Sequence, residues 1–114
     1  METNDAISAL GALAQATRLD IFRLLVQQGP GGLAPGALAK KLELPNATLS
    51  FHLKELAQAD LVSARQEGRS ILYTANYPAM NELVGFLTEN CCGGKDCGVG
   101  SKSVKPPLSK RKTA

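Results

Sequence analysis

The spacing of apolar residues predicts two helices in the first part of the chain. Apolar positions recur at helical spacing after Asp5, a candidate N-cap, and predict a first helix over about residues 5–14. The stretch Thr17–Gln28 is apolar on most sides, which is typical of a helix buried in the middle of a domain. The glycines and proline of Gly29–Gly32 then end this helix.

Two further helices and a hairpin follow. A short helix is predicted over Pro35–Leu42, with its proline in the first turn. The next runs over about Asn46–Ala59, with the asparagine as a candidate N-cap. The runs Leu61–Gln66 and Ser70–Ala75 suit strands, and Gly68 between them suits the tight turn of a β-hairpin.

A last helix is predicted in the segment YPAMNELVGFLTENCC, ending at Gly93 and Gly94. Its apolar positions follow the i, i+3, i+4, i+7 pattern: Met80, Leu83, Val84 and Leu87. Four helices, a hairpin and a final helix form a mainly α chain with a β-hairpin. We therefore predict a winged helix-turn-helix.

Length and composition favour one domain in an oligomer. At 114 residues, the chain has a modest core, and a dimer would bury more surface. The N-terminus lacks a basic stretch followed by an apolar run, and no segment approaches the roughly 18 apolar residues that a membrane span needs. We expect a cytoplasmic protein with no membrane partner.

The basic balance of the chain lies in its C-terminal tail. The net charge is +3, yet five basic residues and no acidic one follow Gly98, which leaves the preceding part at −2. Prolines, serines and missing apolar periodicity predict a disordered basic tail over residues 98–114. A solubilising tail and a weak, salt-sensitive phosphate contact both fit this composition.

The helix over Asn46–Ala59 has two faces. Leucines occupy one face when residues are placed at 100° each: Leu49, Leu53 and Leu56. The other is small, polar and mostly neutral near the N-terminal end, which is the end that a recognition helix presents to base edges. Phe51 fits either a ring folded against the hairpin or a contact with a thymine methyl group.

The candidate DNA-binding residues are Asn46, Thr48, Ser50, Phe51, His52, Lys54, Arg65 and Arg69. His52, the single histidine of the chain, lies between the two faces, which favours a structural hydrogen bond or a phosphate contact over metal binding. Arg65, Gln66 and Arg69 surround the hairpin turn and suit contacts with the DNA backbone or minor groove. A solvated tip remains the alternative for these side chains.

These residues resemble the core signature of the ArsR/SmtB family of bacterial metal-responsive repressors. The matching positions are Ser50, His52, Leu53, Leu56, Ala59, Leu61, Val62, Arg65, Gly68, Arg69 and Tyr73, preceded by Thr17, Arg18, Leu19 and Ile21. The resemblance spans about residues 5–90 and implies a homodimer through the first and last helices. It also implies that the metal-free dimer represses transcription on an inverted-repeat operator of double-stranded DNA, and that metal releases it.

The sensing sites of the family differ in position. Its arsenic site before the recognition helix needs cysteines, and the segment GALAKKLELP has none. Its zinc or nickel site on the last helix needs aspartate and histidine, and that helix offers only Glu82 and Glu89. The remaining segment, NCCGGKDC, resembles a subgroup of arsenite-responsive members with an adjacent cysteine pair and a third cysteine after the last helix.

All three cysteines, Cys91, Cys92 and Cys97, lie in that segment. An odd, clustered set without a secretion signal argues against a disulfide scaffold. Thiolates suit soft ions, and trivalent arsenic or antimony takes three ligands in a pyramid. We therefore predict an As(III) or Sb(III) site, with a domain over residues 1–90 followed by a metalloid-binding segment over 91–97.

Other chemistries of the three thiols stay open. A zinc, cadmium or lead site would need a water or Asp96 as a further ligand. A redox switch would join Cys97 to one of the adjacent pair, and functionless surface thiols are the remaining alternative. A thiol-dependent arsenate reductase would need an arginine six residues after its cysteine, and the chain has Cys97 and Gly98 at those places. We therefore predict no enzymatic activity.

Overall fold

The computed structural model describes residues 1–94, which form five α-helices and a β-hairpin. The elements are α1 (Thr3–Leu13), α2 (Ala16–Gln28), α3 (Pro35–Leu42), α4 (Asn46–Gln58), β1 (Val62–Glu67), β2 (Ser70–Ala75) and α5 (Tyr77–Leu87). A short 3₁₀ segment, Cys91–Gly94, follows α5. This order is that of a winged helix-turn-helix, as predicted.

The chain divides into two compact units, Met1–Leu83 and a second that begins at Val84. The core of the first unit is built mainly from aliphatic side chains of α2, α3 and α4, together with Leu61 just before β1. Its largest fully buried members are Ile21, Leu25, Leu38, Leu49, Leu56 and Leu61. Within residues 1–94, no helix has the length and apolar character needed to cross a membrane.

The N-caps predicted for α1 and α4 are wrong, because the actual caps lie three residues and one residue earlier in the chain. Asp5 lies inside α1, where its carboxylate accepts a hydrogen bond from the backbone N–H of Glu2, the actual N-cap, at 3.2 Å. Asn46 is the first residue of α4 rather than its cap, because Pro45 before it takes the extended N-cap conformation. Both helices therefore begin slightly earlier than the polar side chains suggested.

The hairpin has a two-residue turn, Gly68-Arg69, between the last paired residues Glu67 and Ser70. Gly68 has a φ of 60°, and its neighbour in the turn has no positive φ. A glycine at the first turn position alone is typical of a type II′ hairpin, whose twist matches that of the strands. The predicted turn glycine is confirmed.

The outer edge of β2 pairs with the α2–α3 connection. Leu33 and Tyr73 exchange both backbone hydrogen bonds, at 3.0 and 2.8 Å. Gly32, just before this bridge, has a φ of 75°, and a Cβ there would lie 2.6 Å from the carbonyl oxygen of Tyr73. The connection therefore packs directly against the hairpin, and a glycine is required at the closest point.

The last helix ends earlier than predicted. α5 stops at Leu87, where the sequence pattern predicted a helix running to the cysteine pair. Thr88 turns its hydroxyl back to donate to the carbonyl of Val84 at 2.8 Å, and Asn90 has a left-handed φ of 55°. Because asparagine enters this region more easily than most residues, the chain leaves the helix before Cys91.

Candidate DNA-binding surface and thiol segment

The outward face of α4 is exposed as the sequence predicted. Leu49, Leu53 and Leu56 are buried, at 2% exposure or less. The predicted contact residues on the other side are all exposed: Asn46, Thr48, Ser50, Phe51 and Lys54. The division of α4 into a packed and a solvent face is confirmed, while contact of these side chains with DNA stays a prediction.

Phe51 projects from this face. Its side chain is 56% exposed, so it is not buried against the hairpin. Its ring makes an edge contact with the ring of His52, with centroids 5.4 Å apart. An exposed aromatic ring beside small polar side chains can make apolar contacts with the methyl group of thymine in a major groove.

His52 is a buried structural residue of α4. It is only 9% exposed, and its Nδ1 lies 3.3 Å from Nη1 of Arg18. A guanidinium nitrogen has no lone pair to offer, so Nδ1 is the acceptor in this hydrogen bond. The structural hydrogen bond predicted for His52 is present, and a phosphate contact by the same ring stays a prediction.

Arg18 joins three helices through one side chain. Its Nε donates to the carbonyl of Ala12 at the end of α1 at 2.7 Å, while the same guanidinium reaches His52 on α4. Gln15 accepts from the backbone N–H of Arg18 at 2.8 Å and caps α2. Arg18 therefore links α4 to both α1 and α2.

The two arginines of the hairpin differ in their surroundings. Arg65 forms an ion pair with Glu67 at 2.8 Å and donates to the carbonyls of Pro30 and Gly31 at 3.3 and 3.2 Å. Arg69 lies in the exposed turn, and no hydrogen bond of its side chain is found within residues 1–94. Only Arg69 therefore presents an uncompensated positive charge at the tip.

Two of the three predicted metal ligands lie in the described part of the chain. The Sγ atoms of Cys91 and Cys92 are 3.7 Å apart; Cys91 is half-buried and Cys92 is exposed. Cys92 has a left-handed φ of 58°. Cys97 and the basic tail lie outside the described residues, and within residues 1–94 no three histidine, cysteine or acidic side chains form a metal-binding group.

Sequence patterns did not identify two polar residues at the start of α5. Asn76 accepts from the backbone N–H of Ala79 and donates to the carbonyl of Asp60 at 2.9 Å, so it caps α5 and holds the end of α4. Tyr77 donates its hydroxyl to the carbonyl of Val26 at 3.0 Å. An asparagine just before an apolar helical run is an N-cap signal that would have located the first.

Comparison with known proteins places this geometry among transcriptional regulators. A family described as a helix-turn-helix domain matches residues 13–64. The nodulation protein NolR of Rhizobium meliloti is 36% identical over 84 residues, which cover 74% of this chain and 66% of NolR. The transcriptional activator HlyU of Vibrio cholerae is 32% identical, over 81% of this chain and 84% of HlyU.

Other similarities concern an arsenical repressor and two solved structures. The arsenical resistance operon repressor of Staphylococcus aureus is 27% identical, over 74% of this chain and 78% of that protein. The crystal structure of NolR from Sinorhizobium fredii aligns with a TM-score of 0.61 at 35% identity, covering 75% and 83% of the two chains. A homodimeric winged helix-turn-helix DNA-binding domain from Mycobacterium bovis, described as a possible ArsR-family regulator, aligns with a TM-score of 0.62 at 26% identity, covering 81% and 85%.

Proposed function

The chain belongs to the ArsR/SmtB family of transcriptional regulators, and from that premise we propose that it is a metalloid-responsive repressor. In its metal-free form, a homodimer binds an inverted-repeat operator. As(III) or Sb(III) then binds the thiolates of Cys91, Cys92 and Cys97 and releases the DNA. The similarity to an arsenical resistance repressor supports this assignment, whereas NolR and HlyU leave the signal open.

The observation that carries the proposal is the 3.7 Å separation of the Cys91 and Cys92 sulfur atoms. Two thiolates bound about 2.3 Å from one tetrahedral ion lie about 3.8 Å apart. The two sulfur atoms are therefore close enough to share one soft ion, divalent or trivalent, and the number of thiolates distinguishes the two. With Cys97 as a third donor the set provides three thiolates, the number that a pyramidal trivalent ion takes and one fewer than a structural zinc site.

Exposed apolar side chains support the homodimer. On α1, Ile7 is 61% exposed and Leu10 is 42% exposed. On α5, Val84 and Leu87 are 47% and 58% exposed. Single exposed apolar residues are ordinary, but here each of the two helices carries a pair at helical spacing. Such pairs are stabilised when a second copy of the chain covers them.

The dimer is tested by replacing one of these residues. Leu10→Lys is expected to shift the molecular mass in sedimentation equilibrium from dimer toward monomer. Ser8→Lys is the matched control, because this exposed residue lies on the opposite side of α1 and carries the same added charge. Equal masses for the two variants would argue against an interface through α1.

DNA binding would place two α4 helices in successive major grooves, about 34 Å apart. Asn46 and Ser50 offer hydrogen-bonding groups to base edges, and Lys54 offers a charge to phosphate. Lys54→Ala is expected to weaken binding, while Gln58→Ala, also exposed on α4, is not. A hundredfold loss of operator affinity on metalloid binding corresponds to about 2.8 kcal/mol of coupling.

The decisive experiment is fluorescence anisotropy of the reduced full-length protein on the DNA upstream of its own gene. Parallel titrations use arsenite, antimonite, zinc and cadmium on the wild type and on Cys97→Ser. Release by arsenite and antimonite alone, reduced in the variant, supports a three-thiolate metalloid switch. Release by zinc or cadmium would replace the metalloid with a divalent ion, and an arsenite response that survives in Cys97→Ser would contradict the three-thiolate site.

A further inference from the structure

The guanidinium of Arg65 contacts protein acceptors on two separate segments. Its Nε meets the carboxylate of Glu67, two residues along the same strand, at 2.8 Å. Its two terminal nitrogens meet the carbonyls of Pro30 and Gly31, at 3.3 and 3.2 Å. Each of the three nitrogens therefore has an acceptor inside the protein, and three of the five N–H groups of the guanidinium are engaged there.

We infer that Arg65 is a positioning residue, which fixes the wing (the β1–β2 hairpin, residues 62–75) against the α2–α3 connection. Arg69 is then the residue of the wing that meets DNA phosphate. This division of roles rests on the proposed function and assigns different tasks to two arginines four residues apart. The Glu67 carboxylate beside Arg65 offsets part of its positive charge, so Arg65 attracts a phosphate less strongly than an arginine without an acidic neighbour. Arg69 lies in the two-residue turn, where its charge is not paired by any residue in 1–94.

The position of the contacted loop explains how Arg65 would act at a distance. Pro30 and Gly31 lie just before Gly32 and Leu33, which pack against and pair with β2. The same connection leads directly into α3, the helix before the recognition helix. Arg65 and the Leu33–Tyr73 bridge therefore hold the middle of the hairpin to the connection that leads into α3. The hairpin and the recognition helix then approach DNA in a fixed relation.

Salt dependence separates a positioning arginine from a phosphate contact. Each phosphate contact contributes about 0.9 to the slope of log K against log salt concentration. Arg69→Gln is expected to reduce the magnitude of this slope by about 0.9 for each wing, or about 1.8 for a dimer. Arg65→Gln is expected to weaken operator binding about tenfold, equivalent to about 1.4 kcal/mol, with the slope unchanged.

A charge-conserving variant provides the second test. Lysine keeps the positive charge but has no planar fork to span three acceptors, so Arg65→Lys is expected to bind as weakly as Arg65→Gln. At the turn, Arg69→Lys is expected to bind nearly as well as the wild type, because a phosphate contact needs mainly the charge. Circular dichroism and the unfolding temperature, measured at equal protein concentration, check that all four variants are folded.

A measurement without DNA addresses the structural contact itself. The backbone N–H of Leu33 donates to Tyr73 next to the loop that Arg65 holds, and its hydrogen exchange is expected to speed up severalfold in Arg65→Gln and to remain unchanged in Arg69→Gln. Four results would each overturn the positioning role. In Arg65→Gln they are unchanged hydrogen exchange at Leu33, unchanged operator affinity, or a smaller salt slope. In Arg65→Lys it is operator affinity restored to the wild-type value. Failure of the wild type to bind the promoter would instead refute the proposed function.

Discussion

Replacing Gly32 by alanine is expected to destabilise the protein more than the same change at Gly29, Gly31 or Gly68. Gly32 lies in the α2–α3 connection at a φ of 75°. An added Cβ would lie 2.6 Å from the carbonyl oxygen of Tyr73 and 2.7 Å from Cγ2 of Thr74. One of these neighbours is backbone that already pairs with Leu33, so it cannot move away without weakening the bridge.

The magnitude follows from two costs. A left-handed conformation costs a residue with a Cβ about 1–2 kcal/mol relative to glycine. Forcing an extra carbon into a packed site costs about 1–3 kcal/mol more. We therefore expect the free energy of unfolding to fall by about 2–5 kcal/mol, which for a domain of this size lowers the unfolding temperature by about 10 °C or more.

Thermal and urea unfolding followed by circular dichroism measure this change. The matched control is Gly31→Ala, one residue earlier, where φ is not positive and an added Cβ meets nothing within 4 Å. The control is expected to change stability by less than about 0.5 kcal/mol. All samples need the same protein concentration, because dimerisation adds to apparent stability. Similar unfolding curves for the two variants would refute the close approach at Gly32.

Three further substitutions test other contacts of the first unit by urea unfolding. Tyr77→Phe removes the hydroxyl bonded to Val26 and is expected to lower the free energy of unfolding by about 1 kcal/mol. An unchanged value would mean that this hydrogen bond adds nothing to stability. Asn76→Ala removes the cap of α5 and is expected to lower the free energy of unfolding by about 1–2 kcal/mol. Asn76→Asp keeps a capping oxygen and is expected to restore part of that loss. Equal stability of wild type and Asn76→Ala would contradict the capping role. Gly36→Ala, in α3 with no atom within 4 Å of the added carbon, is expected to raise the free energy of unfolding by about 0.5–1 kcal/mol. A less stable variant would show that the added carbon meets a neighbour.

The elements with a strong local pattern were predictable. Pro35–Leu42 and Ser70–Ala75 match their predicted bounds, because proline and the glycine turn mark those ends unambiguously. The end of α5 was not predicted, since its apolar spacing continues toward Cys91 while the conformations of Thr88 and Asn90 stop the helix. The spacing of apolar residues shows which face of a helix is buried, but it does not show where the helix ends.

The candidate site was predictable in its exposed face and not in its internal contacts. Helical geometry alone separated the buried and outward sides of α4, since both depend on residues within the same helix. The partner of His52 is Arg18, far away in the chain, so the burial of that histidine depends on a contact that no local pattern contains. The same holds for Arg65, whose position beside a turn suggested a DNA contact while its acceptors lie on another loop.

The pairing of Leu33 with Tyr73 also bears on how the protein behaves when concentrated. A two-stranded hairpin is marginal in water and has two open edges that can recruit strands of other molecules. Here the outer edge of β2 is already occupied at its middle by the backbone of Leu33. One of the two edges is therefore closed to strands of other molecules, which lowers the tendency of the hairpin to aggregate edge to edge.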